Sequence, residues 1–278
     1  MVGNIHIMGI INLTPDSFYA GSRTAAAGFA ARAADMLAQG ADVLDLGACS
    51  TRPGSTLPSP EEEWSRLEPI LLEIAEHRPS GGAIPAPPAI SIDTFRAEIV
   101  RRAYELIGPF MVNDISAGHL DPAMLETVGR LGLPYIAMHM KGTPETMQQF
   151  TDYGDLIGDI LAYFREFGLK AQDAGIRDWI LDPGFGFSKT IEQNYELLRR
   201  LPELRESGRE ILAGLSRKSM VYKKLGITPE EAMPATQVVQ FAALQGGATW
   251  LRVHDVAPAV QTARLYSTMY TSSPGAAK

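Results

Sequence analysis

The sequence predicts an α/β protein with a single-domain (β/α)8 TIM-barrel architecture. Eight times along the chain, a short apolar run ends near a polar or charged residue and is followed by a helix-length segment. Several of these runs lack the alternation of a half-exposed strand, as is usual for parallel strands that are buried on both faces. The length of 278 residues also suits one such barrel, which we expect to span residues 1–271.

Predicted strands and helices alternate through this range. The strands are Ile5–Ile11, Val43–Leu46, Ala89–Ile92, Phe110–Val112, Tyr135–Met138, Trp179–Leu181, Ile211–Leu215 and Trp250–Val253. The helices are Thr24–Gln39, Pro60–His77, Phe95–Ile107, Asp121–Leu131, Leu156–Ala174, Ile191–Leu201, Pro229–Gln245 and Pro258–Tyr270. Two of these helices begin with a capping hydroxyl, a proline and two glutamates, at Ser59–Glu62 and Thr228–Glu231. Residues 272–278 are expected to form a disordered tail.

Three connections between these elements are rich in small residues and proline. In a barrel of this kind, the active site lies where the strands end, and the loops at that face carry function. Leu13–Arg23 and Ser50–Ser59 follow the first two strands, so we expect them to act as lids. Pro79–Pro88 joins a helix to a strand at the opposite face and is expected to be a connector only.

The composition excludes several classes of partner. The net charge is −7 and there is no long basic run, which argues against nucleic acid or an anionic membrane surface. No apolar run is long enough to span a bilayer, and the amino terminus does not have the pattern of a signal peptide. Cys49 is the only cysteine, so no internal disulfide can form. We therefore expect a cytoplasmic protein that acts on small molecules.

Three strand ends carry side chains that suit a flat, polar heterocycle. Asp93 and Asn113 follow neighbouring predicted strands, and Asp182 follows the sixth strand and opens the proline- and glycine-rich turn Asp182–Phe187. A buried carboxylate can accept two parallel hydrogen bonds from the N–C–N edge of a 2-amino-pyrimidinone. We expect these side chains to line one pocket at the barrel mouth.

Each of these residues also has a purely structural interpretation. Asp182 would then cap its own turn, and Asp93 would cap the helix that begins at Phe95. Asp45 lies inside an apolar strand, and His139 is a lone histidine at a strand end, so both are expected to be structural. No spacing of histidine, cysteine and acidic residues indicates a zinc site.

Cationic side chains are concentrated near the ends of the last two strands. Leu215–Ser219 contributes Arg217 and Lys218, the eighth strand contributes Arg252 and His254, and Arg52 lies in the second loop. Barrels often bind phosphate near their seventh and eighth strands. We expect these residues to form an anion pocket in an otherwise acidic protein. A Mg²⁺ ion there would need only one or two protein oxygens in addition to substrate phosphates.

Short motifs from the first strand to the eighth resemble the dihydropteroate synthase family, whose members are pterin-binding barrels. The motifs are Gly9–Phe18, Ser50–Gly54, Ser91–Thr94, Asn113–Ile115, Met138–Met140, Leu181–Phe187, Ser216–Ser219 and Arg252–Asp255. Any one of them is a weak signal, but the ordered set covers nearly the whole chain. The resemblance implies condensation of 6-hydroxymethyl-7,8-dihydropterin diphosphate with p-aminobenzoate, which gives 7,8-dihydropteroate and pyrophosphate for folate synthesis.

The resemblance also implies roles for individual residues. The pterin would be held by Asp93, Asn113, Met138, Asp182, Lys218 and Arg252. The diphosphate would be surrounded by Asn12, Thr51, Arg52, Arg252 and His254, with Asn12 also near Mg²⁺. The p-aminobenzoate would be framed by Phe18, Pro53, Phe187, Lys218 and Ser219. The implied catalytic residues are Asp93, Asp182, Lys218 and Arg252, and the implied assembly is a homodimer formed through outer-wall helices.

Two positions depart from the family pattern. Many members carry an acid in place of Ala20 and a glutamate in place of Cys49.

Two other functions stay open at this point. One alternative is another pterin-binding barrel, such as a methyltetrahydrofolate:corrinoid methyltransferase, which would not need the Arg52, Lys218 and Arg252 cluster. The other is a barrel that has lost catalysis and only binds a pterin, which the intact strand ends argue against.

Overall fold

A computed structural model describes residues 4–13, 22–49, 57–77 and 89–270. The predicted tail, most of both predicted lids and the predicted connector lie outside these ranges. The strands are His6–Asn12 (β1), Val43–Gly47 (β2), Ala89–Asp93 (β3), Met111–Asp114 (β4), Tyr135–Met138 (β5), Trp179–Asp182 (β6), Leu212–Ala213 (β7) and Trp250–Val253 (β8). All pair in parallel in the order β6-β5-β4-β3-β2-β1-β8-β7, and a bridge between Leu181 and Ile211 joins β6 to the start of the β7 segment. The predicted TIM barrel is confirmed.

Helices connect the strands around the outside of the barrel. They are Ser22–Gln39 (α1), Pro60–His77 (α2), Ala97–Ile107 (α3), Met124–Leu131 (α4), Leu156–Asp173 (α5), Ile191–Arg199 (α6), Ser219–Leu225 (α7), Met233–Gln245 (α8) and Val256–Tyr270 (α9). The capping pattern predicted at Ser59 is confirmed, because Ser59 and Glu62 exchange hydrogen bonds between side chain and backbone NH at the start of α2. None of the described helices is both long and apolar enough to cross a membrane.

The prediction of one helix between the last two strands is wrong. Helix α7 ends at Leu225 and is capped by Gly226, whose φ of 67° places it in the left-handed region that favours glycine. Thr228 and Glu231 exchange hydrogen bonds as a capping pair would, but they close a turn ahead of α8. The chain therefore leaves β7 through a short helix that begins directly after Lys218.

The barrel interior is apolar at the amino ends of the strands and polar at their carboxyl ends. A buried cluster fills the lower interior with Met8, Val43, Ile136, Ile180, Leu212 and Trp250. Because side chains on a strand alternate between faces, the residues two and four positions after a member of this cluster also point inward. Counted in this way along their own strands, the inward residues nearer the carboxyl ends are Asp45, Asn12, Met138, Asp182 and Arg252. The strand period thus places four predicted site residues, together with Asp45, above an apolar floor.

Candidate active site

The strand register sets four residues side by side at the mouth of the barrel. Asn12 of β1 pairs with Gly47, Gly47 pairs with Asp93 of β3, and Asp93 pairs with Asn113 of β4. A Cβ atom at Gly47 would lie 3.7 Å from Oδ2 of Asp93 and 3.8 Å from Oδ1 of Asn12. The amide oxygen and the carboxylate therefore flank Gly47 from the two neighbouring strands, each at ordinary van der Waals distance.

Arg252 joins two of the buried carboxylates in the barrel interior. Its Nε donates a 2.7 Å hydrogen bond to Oδ2 of Asp45, and its Nη2 donates a 2.7 Å hydrogen bond to Oδ2 of Asp93. Asn113 also donates from Nδ2 to Oδ2 of Asp45, at 3.2 Å. The carboxylate of Asp93 is thus held by Arg252 and does not cap α3, whose N-cap residue is Arg96.

Asp45 therefore supports the site, although its position inside an apolar strand predicted only a structural role. It is fully buried and touches two predicted pterin-binding residues, Arg252 and Asn113. A signal was present in the sequence, because Asp45 lies two residues before Gly47 and so faces the same interior as the strand end. Its position inside an apolar run concealed this relationship.

Burial changes the protonation of the carboxylates at the mouth. It raises the pKa of Asp93 to about 7, an effect that Arg252 opposes and that Asp45 reinforces. Burial also raises the pKa of Asp182, against the opposing effects of Lys218 and of the backbone NH of Gly184. Carboxyl groups whose pKa values are perturbed in this way are typical of functional sites.

The turn after β6 holds Asp182 in place. Oδ1 of Asp182 accepts a 2.8 Å hydrogen bond from the NH of Gly184, so the predicted turn cap exists and uses one carboxylate oxygen. Gly184 has a φ of 71°, and a Cβ atom there would lie 2.1 Å from the carbonyl oxygen of His139. Only glycine fits at this crossing. The other carboxylate oxygen, Oδ2, lies near Gly214 on the inner wall, where a Cβ atom would be 4.0 Å away.

Lys218 approaches the same wall from the end of β7. A Cβ atom at Gly214 would lie 3.7 Å from its Nζ, which donates a hydrogen bond to the carbonyl oxygen of Phe185. The ammonium group also lies 4.7 Å from the ring centre of Phe187. Burial lowers the pKa of Lys218 to about 8, and the carboxylate of Asp182 opposes this shift. The cation, the carboxylate and the aromatic ring thus share one corner of the mouth.

Arg217 does not lie in the anion pocket, contrary to the prediction from the sequence. Its guanidinium forms two parallel 2.8 Å hydrogen bonds with the carboxylate of Asp255, and its Nη1 donates to the carbonyl oxygens of Pro229 and Glu230. The backbone of Arg217 has a φ of 53°, which turns it away from its neighbour Lys218. Its role is therefore to tie the loop between α7 and α8 to the end of β8.

The remaining predicted residues lie near the ends of β7 and β8, in an apolar wall of the mouth, or outside the described residues. His254 lies beside Ser216, whose Oγ is 3.1 Å from its Nδ1, and Ser219 is the first residue of α7. Met138 is buried in an apolar cluster against which Phe187 packs, and this cluster forms one wall of the mouth. Outside the described residues lie Phe18, Ala20, Thr51, Arg52 and Pro53.

A metal ion at this mouth would have to rely on few protein ligands. Within the described ranges, no cluster of three or more histidine, cysteine or acidic side chains has metal-binding geometry. Asn12 contributes one amide oxygen beside Asp93, whose Oδ2 is already bound by Arg252. This donor set fits an ion that is held mainly by substrate phosphates, as Mg²⁺ often is.

Comparisons with known proteins agree with this geometry. Residues 8–254 match the family model described as pterin binding enzyme. The chain is 41% identical to dihydropteroate synthase from Synechocystis over 95% of its own length and 90% of the relative's. It is 37% identical to dihydropteroate synthase from Escherichia coli over 94% and 90% of the two lengths.

Solved structures extend the same relationship. The Yersinia pestis dihydropteroate synthase in a sulfonamide complex superposes with a TM-score of 0.87 and 33% identity, covering 98% of this chain and 96% of that one. The Xanthomonas albilineans enzyme with 4-aminobenzoic acid superposes with a TM-score of 0.86 and 34% identity, covering 98% of this chain and 95% of that one. The chain therefore belongs to the dihydropteroate synthase family of pterin-binding enzymes.

Proposed function

We propose that the protein is a transferase that joins 6-hydroxymethyl-7,8-dihydropterin diphosphate to p-aminobenzoate and releases pyrophosphate. The observation that carries this proposal is the convergence of Asp93, Asn113, Asp182, Lys218 and Arg252 on one polar mouth above an apolar floor. Two carboxylates, an amide and two cations match a flat heterocycle that bears an anionic leaving group.

The pterin is assigned to the carboxylate side of the mouth. Asp182 accepts hydrogen bonds from the 2-amino group and N3, and Asp93 and Asn113 bind the other ring edge. Lys218 binds the O4 and N5 side, Arg252 stacks on the ring, and Met138 lines the pocket. In support, the Asp93 carboxyl has a pKa of about 7, so it is available as donor or acceptor near neutral pH.

The diphosphate is assigned to the cationic side, with Asn12, Thr51, Arg52, Arg252 and His254 around it. Pyrophosphate leaves from a carbon attached to an electron-rich ring, so positive charge spreads into the pterin and no protein nucleophile is needed. Cations stabilise the departing phosphates, and the carboxylates of Asp93 and Asp182 stabilise the developing positive charge. We assign Asn12 to a bound Mg²⁺, which would supply further stabilisation of the leaving group.

The second substrate, p-aminobenzoate, is assigned to the outer part of the mouth, between Phe18, Pro53, Phe187, Lys218 and Ser219. Phe187 offers a ring to stack on, and the ammonium of Lys218 lies over that ring. The carboxylate of the substrate then lies beside Ser219 at the start of α7. The amine points inward to the carbon that loses pyrophosphate.

One coupled assay tests the proposal. We expect pyrophosphate and dihydropteroate to form in equal amounts when p-aminobenzoate, the pterin diphosphate and Mg²⁺ are all present. Absence of dihydropteroate under these conditions would contradict the proposal. Methyl transfer from methyltetrahydrofolate would favour the corrinoid methyltransferase instead, and calorimetry that detects no pterin diphosphate would favour a non-catalytic barrel.

We also propose that the protein is a cytoplasmic homodimer. In support of the dimer, the adjacent helices α8 and α9 expose large apolar side chains, with Val238, Leu265 and Met269 each more than half exposed. Sedimentation analysis is expected to give twice the chain mass, and V238E to reduce it to the monomer mass. Cell fractionation tests the location, which the buried free thiol of Cys49 supports.

A further inference from the structure

Lys189 is a buried lysine that the proposed reaction does not use. Only 3% of its surface is exposed, and lysine is almost never buried to this extent without a carboxylate partner. Its Nζ lies 3.1 Å from each of three acceptors, which are Nδ1 of His139 and the carbonyl oxygens of Gly184 and Phe187. These contacts use all three donors of an ammonium group, and none of the acceptors is an anion.

The three acceptors belong to two neighbouring parts of the barrel mouth. His139 follows β5, whereas Gly184 and Phe187 lie in the turn after β6 that begins at Asp182. The same turn supplies the carbonyl oxygen of Phe185 to Lys218 and the ring of Phe187 beneath it. The ammonium of Lys189 therefore holds the turn that positions two of the assigned pterin contacts, Asp182 and Lys218.

His139 is suited to accept this hydrogen bond. Burial lowers its pKa well below the usual value, and the nearby ammonium of Lys189 lowers it further. The ring is therefore neutral, and we assign its proton to Nε2, which leaves Nδ1 to accept from Lys189. The rings of His139 and Tyr163 pack edge to face, with 4.9 Å between their centres, which helps to fix the orientation of the imidazole.

We propose that Lys189 is a positioning residue for the reaction, because it clamps the turn after β6 to the end of β5 and so orients Asp182 and Lys218. This inference rests on the proposed function. The clamp also brings a positive charge near Asp182, whose other charged neighbours are Lys218 and Arg252. Burial lowers the pKa of Lys189 to about 7, which Asp182 opposes, while Lys218 and Lys141 lower it further.

Lys141 provides a matched control beside the same turn. Its ammonium donates a 2.8 Å hydrogen bond to the carbonyl oxygen of Asp152 and lies 3.6 Å from the ring centre of Tyr153, with a third of the side chain exposed. Its backbone, in contrast, is bound by Ser188, and this contact survives a side-chain substitution. K141M thus removes a lysine from the neighbourhood without opening the clamp.

The test compares K189M and K141M with the wild type by steady-state kinetics, after thermal melts confirm that each variant folds. We expect K189M to lose roughly 10- to 100-fold in kcat/KM for the pterin diphosphate, as small misplacements of reacting groups commonly do. K141M is expected to remain within about threefold, because the ammonium of Lys141 donates to the carbonyl oxygen of Asp152 and to none of the three acceptors of Lys189. Wild-type kinetics in K189M, or an equal loss in K141M, would overturn the inference.

A second readout separates positioning from general damage. Removing the Lys189 charge raises the pKa of Asp182, so this carboxylate becomes protonated at a higher pH in K189M than in wild type. As the pH is lowered, calorimetric binding of the pterin diphosphate should therefore be lost earlier in K189M. If K189M does not fold, H139L removes one acceptor only and should give the same pattern at reduced size; normal kinetics there would overturn the proposal. An inactive wild type would instead overturn the proposed function together with this inference.

Discussion

Arg252 donates a 2.7 Å hydrogen bond from its Nε to Oδ2 of Asp45, and its Nη2 lies 2.6 Å from the same oxygen. Asp45 is fully buried, and its second oxygen, Oδ1, has no hydrogen-bond partner among the described residues. The guanidinium is therefore held from below by a carboxylate that does not reach the mouth. Nη2 is shared between the two carboxylates, because it also donates to Oδ2 of Asp93, which does reach the mouth.

We expect D45N to reduce kcat/KM by roughly 10- to 100-fold, because the amide keeps the shape but loses the charge that fixes Arg252. S91A is the matched control. Ser91 pairs with Asp45 in the strand register and buries an Oγ without a partner, so its removal should leave activity and stability close to wild type. Equal activity in D45N and S91A would contradict this role for Asp45.

The activity of the wild type should have a narrow pH optimum. Ionisation of Asp93 near pH 7 is needed to pair with Arg252, and Lys218 loses its proton near pH 8. We therefore expect kcat/KM for the pterin diphosphate to rise through about pH 7 and to fall through about pH 8. K218R should remove the descending limb, because arginine stays charged. A limb that persists in K218R would assign the decline to another group, with Lys189 the nearest candidate.

D182N should nearly abolish turnover without unfolding the barrel. The amide oxygen can still accept from the NH of Gly184, so the turn is preserved. However, a neutral side chain with one acceptor cannot take two parallel hydrogen bonds from the pterin. We expect a loss of at least about 100-fold in kcat/KM, with a melting temperature near that of wild type. Substantial activity in D182N would contradict the assigned role.

The sequence was sufficient to predict the barrel and most of its mouth. Parallel strands bring their carboxyl ends together, so Asp93, Asn113, Asp182 and Arg252 could be placed at one face from the chain order alone. The side-chain partners could not be predicted in this way. Arg217 precedes Lys218 directly, yet a positive φ and the carboxylate of Asp255 turn it away from the mouth.

The supporting contacts of Asp45 and Lys189 could not be predicted from the sequence either. Each lies in a stretch whose local pattern has an ordinary structural explanation, an apolar strand for one and the start of a helix for the other. Their importance depends on contacts with Arg252 and with His139, which are 207 and 50 positions away along the chain. Such long-range pairing of buried polar groups has no periodic signal in a single sequence.

Cys49, where many family members carry a glutamate, lies beside a buried ion pair between Arg96 and Glu63. Arg96 forms an ion pair with the fully buried Glu63 of α2, lies 3.6 Å from the Sγ of Cys49, and donates to the carbonyl oxygen of Pro58 at 2.5 Å. A carboxylate from α2 therefore stands beside the thiol at the position where the family pattern has a glutamate. Since a broken buried pair leaves an uncompensated charge, we expect E63Q to lower the free energy of unfolding by about 3 kcal/mol.

The same two helices offer a control for that measurement. Glu61 of α2 binds Arg102 of α3 at 3.1 Å, but its side chain is 74% exposed, so E61Q should cost less than about 1 kcal/mol. The double variant C49D/E63Q should recover part of the loss, because an aspartate at position 49 extends a carboxylate from the site of Sγ toward the guanidinium of Arg96. Urea unfolding measures all three; equal effects of E63Q and E61Q would show that burial of the Glu63 pair does not matter.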